Sequence, residues 1–233
     1  GGMHDPNALA MFVADNPHFA ETLLQLAMVL LYVNDRARGN DLLRRCLFVY
    51  ETALSGSVLP NDGDSSDSPS ADRGEVLMDI DASCNSGLFG CLFRIMQTSG
   101  MAGCHAQALA TGRFLLSLDP ARDPTGCLLI LDYYALASRR VSDVGSGGVD
   151  QGARFIVDLV DSGRVGLHHR DPLTDRHQAC KLGDMPNWAY SYALALYRLS
   201  IEEGGEGGEL RRRADDALVS ALTRFPNALP KIL

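Results

Sequence analysis

The chain has 233 residues, of which 46% are hydrophobic and 21% are charged, and its formal net charge at pH 7 is -8. These values are typical of a folded globular protein with one large domain or a short repeat array. The acidic balance argues against broad binding of a nucleic acid backbone, which requires clustered Lys and Arg side chains.

Helical periodicity recurs along the chain, whereas the alternation typical of strands is weak. The first predicted helix begins at Asn16 and Pro17, because asparagine is a good N-cap residue and proline suits the first turn. Its apolar stripe follows helical spacing and consists of Leu23, Leu24, Ala27, Leu30 and Leu31. Seven further helices are predicted at about residues 40–54, 85–98, 102–118, 124–140, 153–162, 186–200 and 210–225. In the second of these eight helices, Arg44 and Arg45 are expected to face solvent.

Three polar segments interrupt the predicted helices. Their composition predicts flexible insertions at residues 55–75, 141–152 and 163–184. The first of these segments is rich in Ser, Asp, Gly and Pro, and it lacks the apolar surface that independent folding requires. We therefore predict a single helical domain over residues 1–233, with these segments at its surface.

Two of the predicted helices share a spacing that is typical of tetratricopeptide-like hairpins. Ala108 lies twelve residues before Pro120, and Ala214 lies twelve residues before Pro226. A small residue lets paired helices approach closely, and a proline ends the helix so that the chain turns back. The predicted fold class is all-α, a tetratricopeptide-like array of about eight helices arranged as an α-solenoid.

No membrane-spanning or secretory segment is visible in the sequence. The longest uninterrupted apolar stretch, residues 26–33, is far shorter than the roughly 20 residues that a membrane helix needs. The start of the chain has no basic region followed by an apolar core, so we expect no signal peptide. The six cysteines form no Cys-x-x-Cys pair, and we expect reduced, mostly buried thiols in an intracellular protein.

The segment from Asp62 resembles the start of a calcium-binding loop. With Asp62 and Asp64 as first and third ligands, Asp67 replaces the glycine of the sixth position and Arg73 replaces the glutamate of the twelfth. A calcium site is therefore not predicted. The serines of this segment are candidates for phosphorylation: Ser65, Ser66 and Ser68.

The best metal-like cluster consists of His168, His169, His177 and Cys180. A four-ligand zinc site normally has two closely spaced pairs on defined turns, whereas these residues share one irregular segment. A solvated loop is the preferred interpretation, and an enzyme that uses this loop with a metal is the alternative. The sequence has no Gly-x-Ser-x-Gly elbow, glycine-rich phosphate loop or His-Glu-x-x-His motif. We therefore assign no catalytic, cofactor-binding or metal-binding residue and expect no cofactor.

Four residues are candidates for contacts with a partner: His18, Trp188, Tyr190 and Tyr192. His18 lies in the first turn of the first predicted helix, where it caps the helix, contacts the preceding hairpin or meets a partner. Trp188 is the only tryptophan and begins a predicted helix beside the two tyrosines. An exposed tryptophan there would be an aromatic hot spot for a partner, and packing beneath the neighbouring hairpin is the alternative.

Several blocks of the sequence together indicate a family. They are residues 5–26, 41–51, 108–136, 185–199 and 217–233. The most specific are the NPH…LLQL block at residues 16–26 and the SLDP…LLILDYY block at residues 117–134. On these blocks the chain resembles the transcription factor twenty-five family, whose fungal member is the first subunit of the ribosome quality control complex.

The resemblance implies a non-enzymatic adaptor of the ribosome-associated quality control pathway with a helical, tetratricopeptide-like fold. It implies four partners: a listerin-type ubiquitin ligase, ubiquitin, the large ribosomal subunit and an AAA segregase. With them, the family assists ubiquitination and extraction of stalled nascent chains. We expect no membrane contact and no direct nucleic acid contact through this segment. The expected location is the cytoplasm, with the nucleus as an additional site.

Older descriptions of the family supply an alternative function, a nuclear transcriptional regulator that acts through protein–protein contacts. The acidity of this chain disfavours direct contact with DNA but is compatible with cofactor binding. Family members are longer, with a basic N-terminal region and further helices at the other end. We therefore expect the chain to be part of a longer protein, and the family supplies no catalytic residue.

Overall fold

A computed structural model describes residues 6–58, 78–82, 85–138, 150–163, 165–170, 177–202 and 208–228. The chain divides into two compact units, residues 1–98 and 99–233. The sequence predicts a single domain, so this division is a feature that periodicity did not indicate. No helix within the described ranges is long and apolar enough to cross a lipid bilayer.

The described residues form mainly α-helices, and the predicted all-α fold class is confirmed. The helices are α1 (Pro6–Asp15), α2 (Ala20–Tyr32), α3 (Arg36–Val58), α4 (Asn85–Met101), α5 (His105–Leu118), α6 (Leu131–Ala137), α7 (Gln151–Ser162), α8 (Pro186–Glu202) and α9 (Glu209–Arg224). Short 3-10 helices precede α6 at Cys127–Leu129 and α8 at Leu182–Asp184. Two strands, β1 (Gly166–Arg170) and β2 (His177–Lys181), follow α7.

The first unit is organised around a hairpin of α2 and α3. Three residues, 33–35, join the two helices, so the chain reverses and the helices lie side by side. Asn34 has a positive φ of 66°, which asparagine tolerates in a tight turn. The core consists of Leu23, Leu26, Ala27, Leu42, Leu43, Cys46 and Cys91. Each large apolar side chain buried in this way contributes about 1.5–3 kcal/mol.

The second unit packs three helices, α5, α7 and α9, around α8 and the short helix α6. α8 lies against α6, α7 and α9, and α6 also contacts α5. Ala108 in α5 and Ala214 in α9 are buried, as their spacing predicts for the close face of a helix pair. Pro120 and Pro226 each lie two residues beyond the end of their helix. The predicted helix ends are therefore confirmed at both positions.

α6 and α7 come unusually close at Gly152. A Cβ atom placed on Gly152 would lie 1.9 Å from the carbonyl oxygen of Ala135, so any other residue would force the helices apart. Asp150 caps α7, because its side chain accepts a hydrogen bond from the Ala153 N–H at 2.9 Å. The predicted start at residue 153 was therefore two residues late.

The beginning of the chain differs from the prediction. Asn16 and Pro17 do not start a helix but form the turn between α1, which was not predicted, and α2. The backbone N–H of Asn16 donates to the Phe12 oxygen at 2.8 Å, and Asn16 Nδ2 donates to the same oxygen at 3.2 Å. Carbonyl groups at the end of a helix need such donors, so Asn16 serves α1 instead of capping α2.

The segment 163–184, which was predicted to be an irregular insertion, contains regular structure. β1 and β2 pair in antiparallel register, with Gly166 opposite Lys181 and Arg170 opposite His177. Their sequences lack apolar alternation, although the backbone hydrogen bonds of a strand pair form without it. Residues 55–58 belong to α3. Residues 59–75 and 141–149 of the other two predicted insertions lie outside the described residues.

Candidate functional site

Trp188 lies in the core of the second unit. Its side chain is completely buried, and its Nε1 donates a hydrogen bond to the carbonyl oxygen of Leu128 at 2.7 Å. A buried indole needs a partner for its N–H, and the irregular segment before α6 supplies one. The hypothesis that Trp188 is exposed as a hot spot for a partner is therefore wrong, and the alternative, that it packs in the core, is correct.

A buried carboxylate lies beside Trp188. Asp132, in the first turn of α6, accepts hydrogen bonds from Asn187 Nδ2 at 3.1 Å and from Ser191 Oγ at 2.6 Å. Asp132 is 5% exposed, and a buried carboxylate is tolerated only when such donors compensate for lost hydration. The side chains of Asp132, Asn187 and Ser191 thus join α6 to α8 and have a structural role.

A second buried carboxylate shapes the turn before α6. The two oxygens of Asp123 accept the backbone N–H groups of Cys127 and Leu128, both at 2.9 Å. Asp123 has a positive φ of 40°, a conformation that aspartate adopts more readily than most residues. Burial and the nearby Asp123 carboxylate raise the pKa of the Cys127 thiol, so it stays protonated and is a poor nucleophile.

Tyr190 and Tyr192 are half-buried, and their hydroxyl groups bond within the second unit. Tyr190 Oη donates to the Phe225 oxygen at 2.9 Å. Tyr192 Oη donates to Asp161 and accepts from Arg213, each at 2.7 Å, and Arg213 also pairs directly with Asp161. Burial and the bond to Asp161 raise the pKa of Tyr192. These bonds tie α8 to α7 and α9, and a role of the tyrosines in partner binding stays a prediction.

His18 lies on the surface of the first unit, in the turn that follows α1. There it borders a groove between this turn and α3, with a cavity volume of about 350 Å³. We name this cavity the His18 groove, and it is lined by Pro17, His18, Arg44, Arg45, Phe48 and Val49. His18 was predicted to lie in the first turn of a helix, and this prediction is wrong. It lies in the turn before α2, where its exposed side chain is accessible at the surface of the first unit.

Helical spacing determines which side chains of α3 line the His18 groove. Arg44 and Arg45 lie four and three residues before Phe48, so the three share one face of the helix. The Phe48 side chain is 65% exposed, whereas Leu43 and Cys46 on the other face are buried in the core. The sequence indicates that the arginines face solvent but not that they border a groove. The sequence signal that was missed is a pair of arginines followed by an aromatic residue one helical turn later, which indicates an aromatic side chain on the solvent-facing side of the helix.

The metal-like cluster of the sequence is only partly described. Its backbone lies in the β1–β2 hairpin, where His168 pairs with Ala179 and His169 pairs with Gln178. The side chains of His168, His169 and His177 lie outside the described residues, as does the calcium-like loop at Asp62. Within the described part of the chain, no group of three His, Cys, Asp or Glu side chains is arranged to hold a metal ion.

The helical hairpins place the chain in the class of all-α, tetratricopeptide-like proteins. Residues 2–233 match the family model described as Transcriptional repressor TCF25, and the chain belongs to this family. The resemblance seen in the sequence blocks is thereby confirmed. No solved structure matches the chain.

Three relatives show how the chain compares with longer proteins. The Ribosome quality control complex subunit TCF25 of Dictyostelium discoideum is 28% identical over 99% of this chain and 28% of that protein. The Probable transcription factor claV of Ampulloclitocybe clavipes is 28% identical over 97% of the chain and 25% of that protein. The Ribosome quality control complex subunit 1 of Saccharomyces cerevisiae is 29% identical over 57% of the chain and 17% of that protein. The chain therefore spans less than a third of the length of these relatives.

Proposed function

We propose that this chain is a non-enzymatic adaptor segment of the ribosome-associated quality control pathway. In this role it assists ubiquitination and extraction of stalled nascent chains on the large ribosomal subunit. The observation that carries the proposal is the family match over residues 2–233, together with relatives named as ribosome quality control complex subunits. The proposed partners are a listerin-type ubiquitin ligase, ubiquitin, the large ribosomal subunit and an AAA segregase. The proposed location is the cytoplasm, with the nucleus as an additional site.

The roles of the polar side chains support an adaptor over an enzyme. Asp123 and Asp132 are engaged in hydrogen bonds that hold the second unit together. The thiol of Cys91 in the first unit is buried, and its hydrogen bond with Cys46 and its burial raise its pKa. Groups with the chemistry of catalysis thus serve packing, whereas the His18 groove offers a surface to a partner. Two of the three relatives, too, are named as subunits of a complex.

Affinity purification under induced ribosome stalling tests the adaptor function. The tagged chain and its Trp188→Ala variant are expressed side by side, and co-purifying proteins are measured by quantitative mass spectrometry. We expect the listerin-type ligase and large-subunit proteins to be enriched with the unaltered chain relative to the variant, whose second unit is destabilised. Absence of these proteins from the purification with the unaltered chain would contradict the proposal, whereas equal recovery with both baits would place the contact in the first unit.

A second candidate function is nuclear transcriptional regulation through protein–protein contacts. The family description as a transcriptional repressor and the relative named as a probable transcription factor favour it. Tethering the chain to a reporter promoter separates the two candidates. Repression that persists while the listerin-type ligase is depleted would favour the nuclear function, whereas an unchanged reporter would remove it.

A further inference from the structure

We propose that the His18 groove binds an acidic peptide segment of a partner protein. In this arrangement an apolar side chain of the segment lies against Phe48, and its carboxylates meet Arg44 and His18. The inference rests on the proposed adaptor function, for which it names the chemistry of one partner contact. It places that contact in the first unit, at the turn that carries the NPH block.

The charge of Arg44 is the first argument. In this acidic chain, several exposed arginines pair with a carboxylate close in sequence: Arg38 with Asp35, Arg45 with Asp41, Arg122 with Asp119 and Arg212 with Glu209. Arg44 is exposed and pairs with no carboxylate of the described residues. A guanidinium group presents a planar set of donors that matches a carboxylate, so an external acidic side chain fits this position.

The pair beside Arg44 does not close the groove to an acidic partner. Arg45 contacts Asp41 at 2.9 Å, and both side chains are more than half exposed, at 61% and 55%. Exposed ion pairs of this kind contribute little to stability, because water solvates both charges. A carboxylate of a bound peptide is therefore able to share or replace Asp41 as the partner of Arg45. The two arginines give the groove a cationic rim, and His18 adds a hydrogen-bonding side chain beside them.

The apolar floor of the groove is the second argument. Phe48 is 65% exposed, and Pro17 and Val49 lie next to it in the cavity. A volume of about 350 Å³ accommodates one or two side chains but not a folded domain. Exposed aromatic residues beside arginine are the residue types that anchor protein interfaces. The floor and the rim together fit a short segment with one apolar anchor between acidic residues.

The same features favour a peptide over a nucleic acid. Phosphate backbones are bound by extended clusters of Lys and Arg, whereas the groove has two arginines and one histidine. The chain as a whole carries a net charge of -8, which repels a polyanion at long range. An acidic peptide with few charges experiences less of this repulsion and gains the apolar contact with Phe48.

The test is a selection from a phage-displayed library of random twelve-residue peptides on the purified chain. The recovered peptides are then measured by fluorescence anisotropy against three variants, Arg44→Glu, Phe48→Ala and Arg154→Glu. Arg154 is the matched control, because it is an exposed arginine of α7 that also pairs with no carboxylate of the described residues. A twelve-nucleotide single-stranded RNA is measured in parallel.

We expect acidic peptides with a central apolar residue to be recovered. Arg44→Glu should weaken their binding by at least about tenfold, the effect of losing a hydrogen bond to a charged group. Phe48→Ala should weaken it as well, whereas Arg154→Glu should leave it within about twofold, as for an exposed charge remote from the contact. Circular dichroism of the Arg44→Glu variant checks that the fold is retained, as we expect for the substitution of an exposed residue.

Three outcomes would overturn the inference. They are recovery of no acidic peptides, equal weakening by the Arg44 and Arg154 variants, and RNA binding that depends on Arg44 in place of peptide binding. The assay contains no ribosome or ligase, so its result is separate from the affinity purification. Peptide binding without ligase recovery contradicts the adaptor function, and ligase recovery without Arg44-dependent peptide binding contradicts the role of the groove.

Discussion

The two units stabilise their helices by different means. The core of the first unit consists of apolar side chains and thiols at helical spacing on α2, α3 and α4. The second unit buries Asp123, Asp132 and Trp188. The hydrogen bonds of Asp123 and Trp188 fix an irregular stretch between α5 and α6, and those of Asp132 join α6 to α8. Apolar cores tolerate exchanges of similar volume, whereas each member of a buried polar network is needed by its partners. The second unit should therefore respond more strongly to small chemical changes.

The largest effect is expected from Trp188→Ala. Loss of this fully buried side chain should lower the free energy of unfolding by about 3–5 kcal/mol, because it leaves a cavity and removes the indole hydrogen bond to the Leu128 oxygen. Hydrogen exchange measured by mass spectrometry should show faster exchange in α6 and α8 and unchanged exchange in α2. Leu43→Ala in the first core is the matched control and should show the opposite pattern. Faster exchange in both units with either variant would remove the distinction between them.

An intermediate effect is expected at Asp123. Alanine leaves the buried N–H groups of Cys127 and Leu128 without acceptors and should cost about 3 kcal/mol. Asparagine keeps one acceptor oxygen and tolerates the positive φ, so Asp123→Asn should cost only about 1–2 kcal/mol. Urea unfolding followed by Trp188 fluorescence measures both variants. Equal costs would mean that the stability of this turn does not depend on how many acceptor oxygens the side chain at position 123 offers.

The pH dependence of unfolding tests the buried thiol of the second unit. Burial raises the pKa of Cys127, whereas a cysteine thiol in the unfolded chain has a pKa of about 8.5. The protonated thiol therefore does not reduce the stability of the folded state below pH about 8.5. Above this pH the free energy of unfolding falls as pH rises, because only the unfolded state releases the proton. Cys127→Ala should reduce this loss by up to about 1.4 kcal/mol per pH unit, measured by Trp188 fluorescence in urea. An unchanged slope in the Cys127→Ala variant would contradict this assignment.

Periodicity predicted the apolar part of the fold and missed the polar part for a physical reason. The stripe that includes Leu23 and Ala27 identifies α2, since burial of a helix face requires such spacing. Asn16 is an equally good donor to the helix before it and a cap for the helix after it, so sequence alone does not assign it. The fifth predicted helix, at 124–140, is in part the Asp123 turn. The Asp123 side chain bonds to backbone N–H groups, which every residue except proline has, and these bonds therefore leave no pattern in the sequence.

The candidate site was only partly predictable for the same kind of reason. The solvent-facing Arg44 was predictable, because polar residues on an amphipathic helix lie opposite its apolar stripe. His18 was a candidate because of its residue type and its place in the NPH block. That they border one groove depends on the turn from α1 to α2, whose geometry rests on the Asn16 hydrogen bonds to Phe12. Trp188 illustrates the opposite case. Residue type suggested an interface, but only the structure identifies the Leu128 oxygen that satisfies the indole N–H in the core.

The smallest effect is expected from Tyr192→Phe, and it tests whether all polar clusters of the second unit behave alike. The variant removes the hydroxyl between Asp161 and Arg213, but these two residues keep their direct contact at 2.7 Å. Both are about 40% exposed, at 42% and 39%, so water replaces the lost hydroxyl. The cost should be about 0.5–1 kcal/mol in urea unfolding, with Tyr190→Phe as the matched loss of a single hydroxyl. A cost equal to that of Asp123→Ala would show that this exposed cluster is as demanding as the buried one. Burial would then not be what makes the polar contacts of the second unit indispensable, and the contrast with the first unit would need another cause.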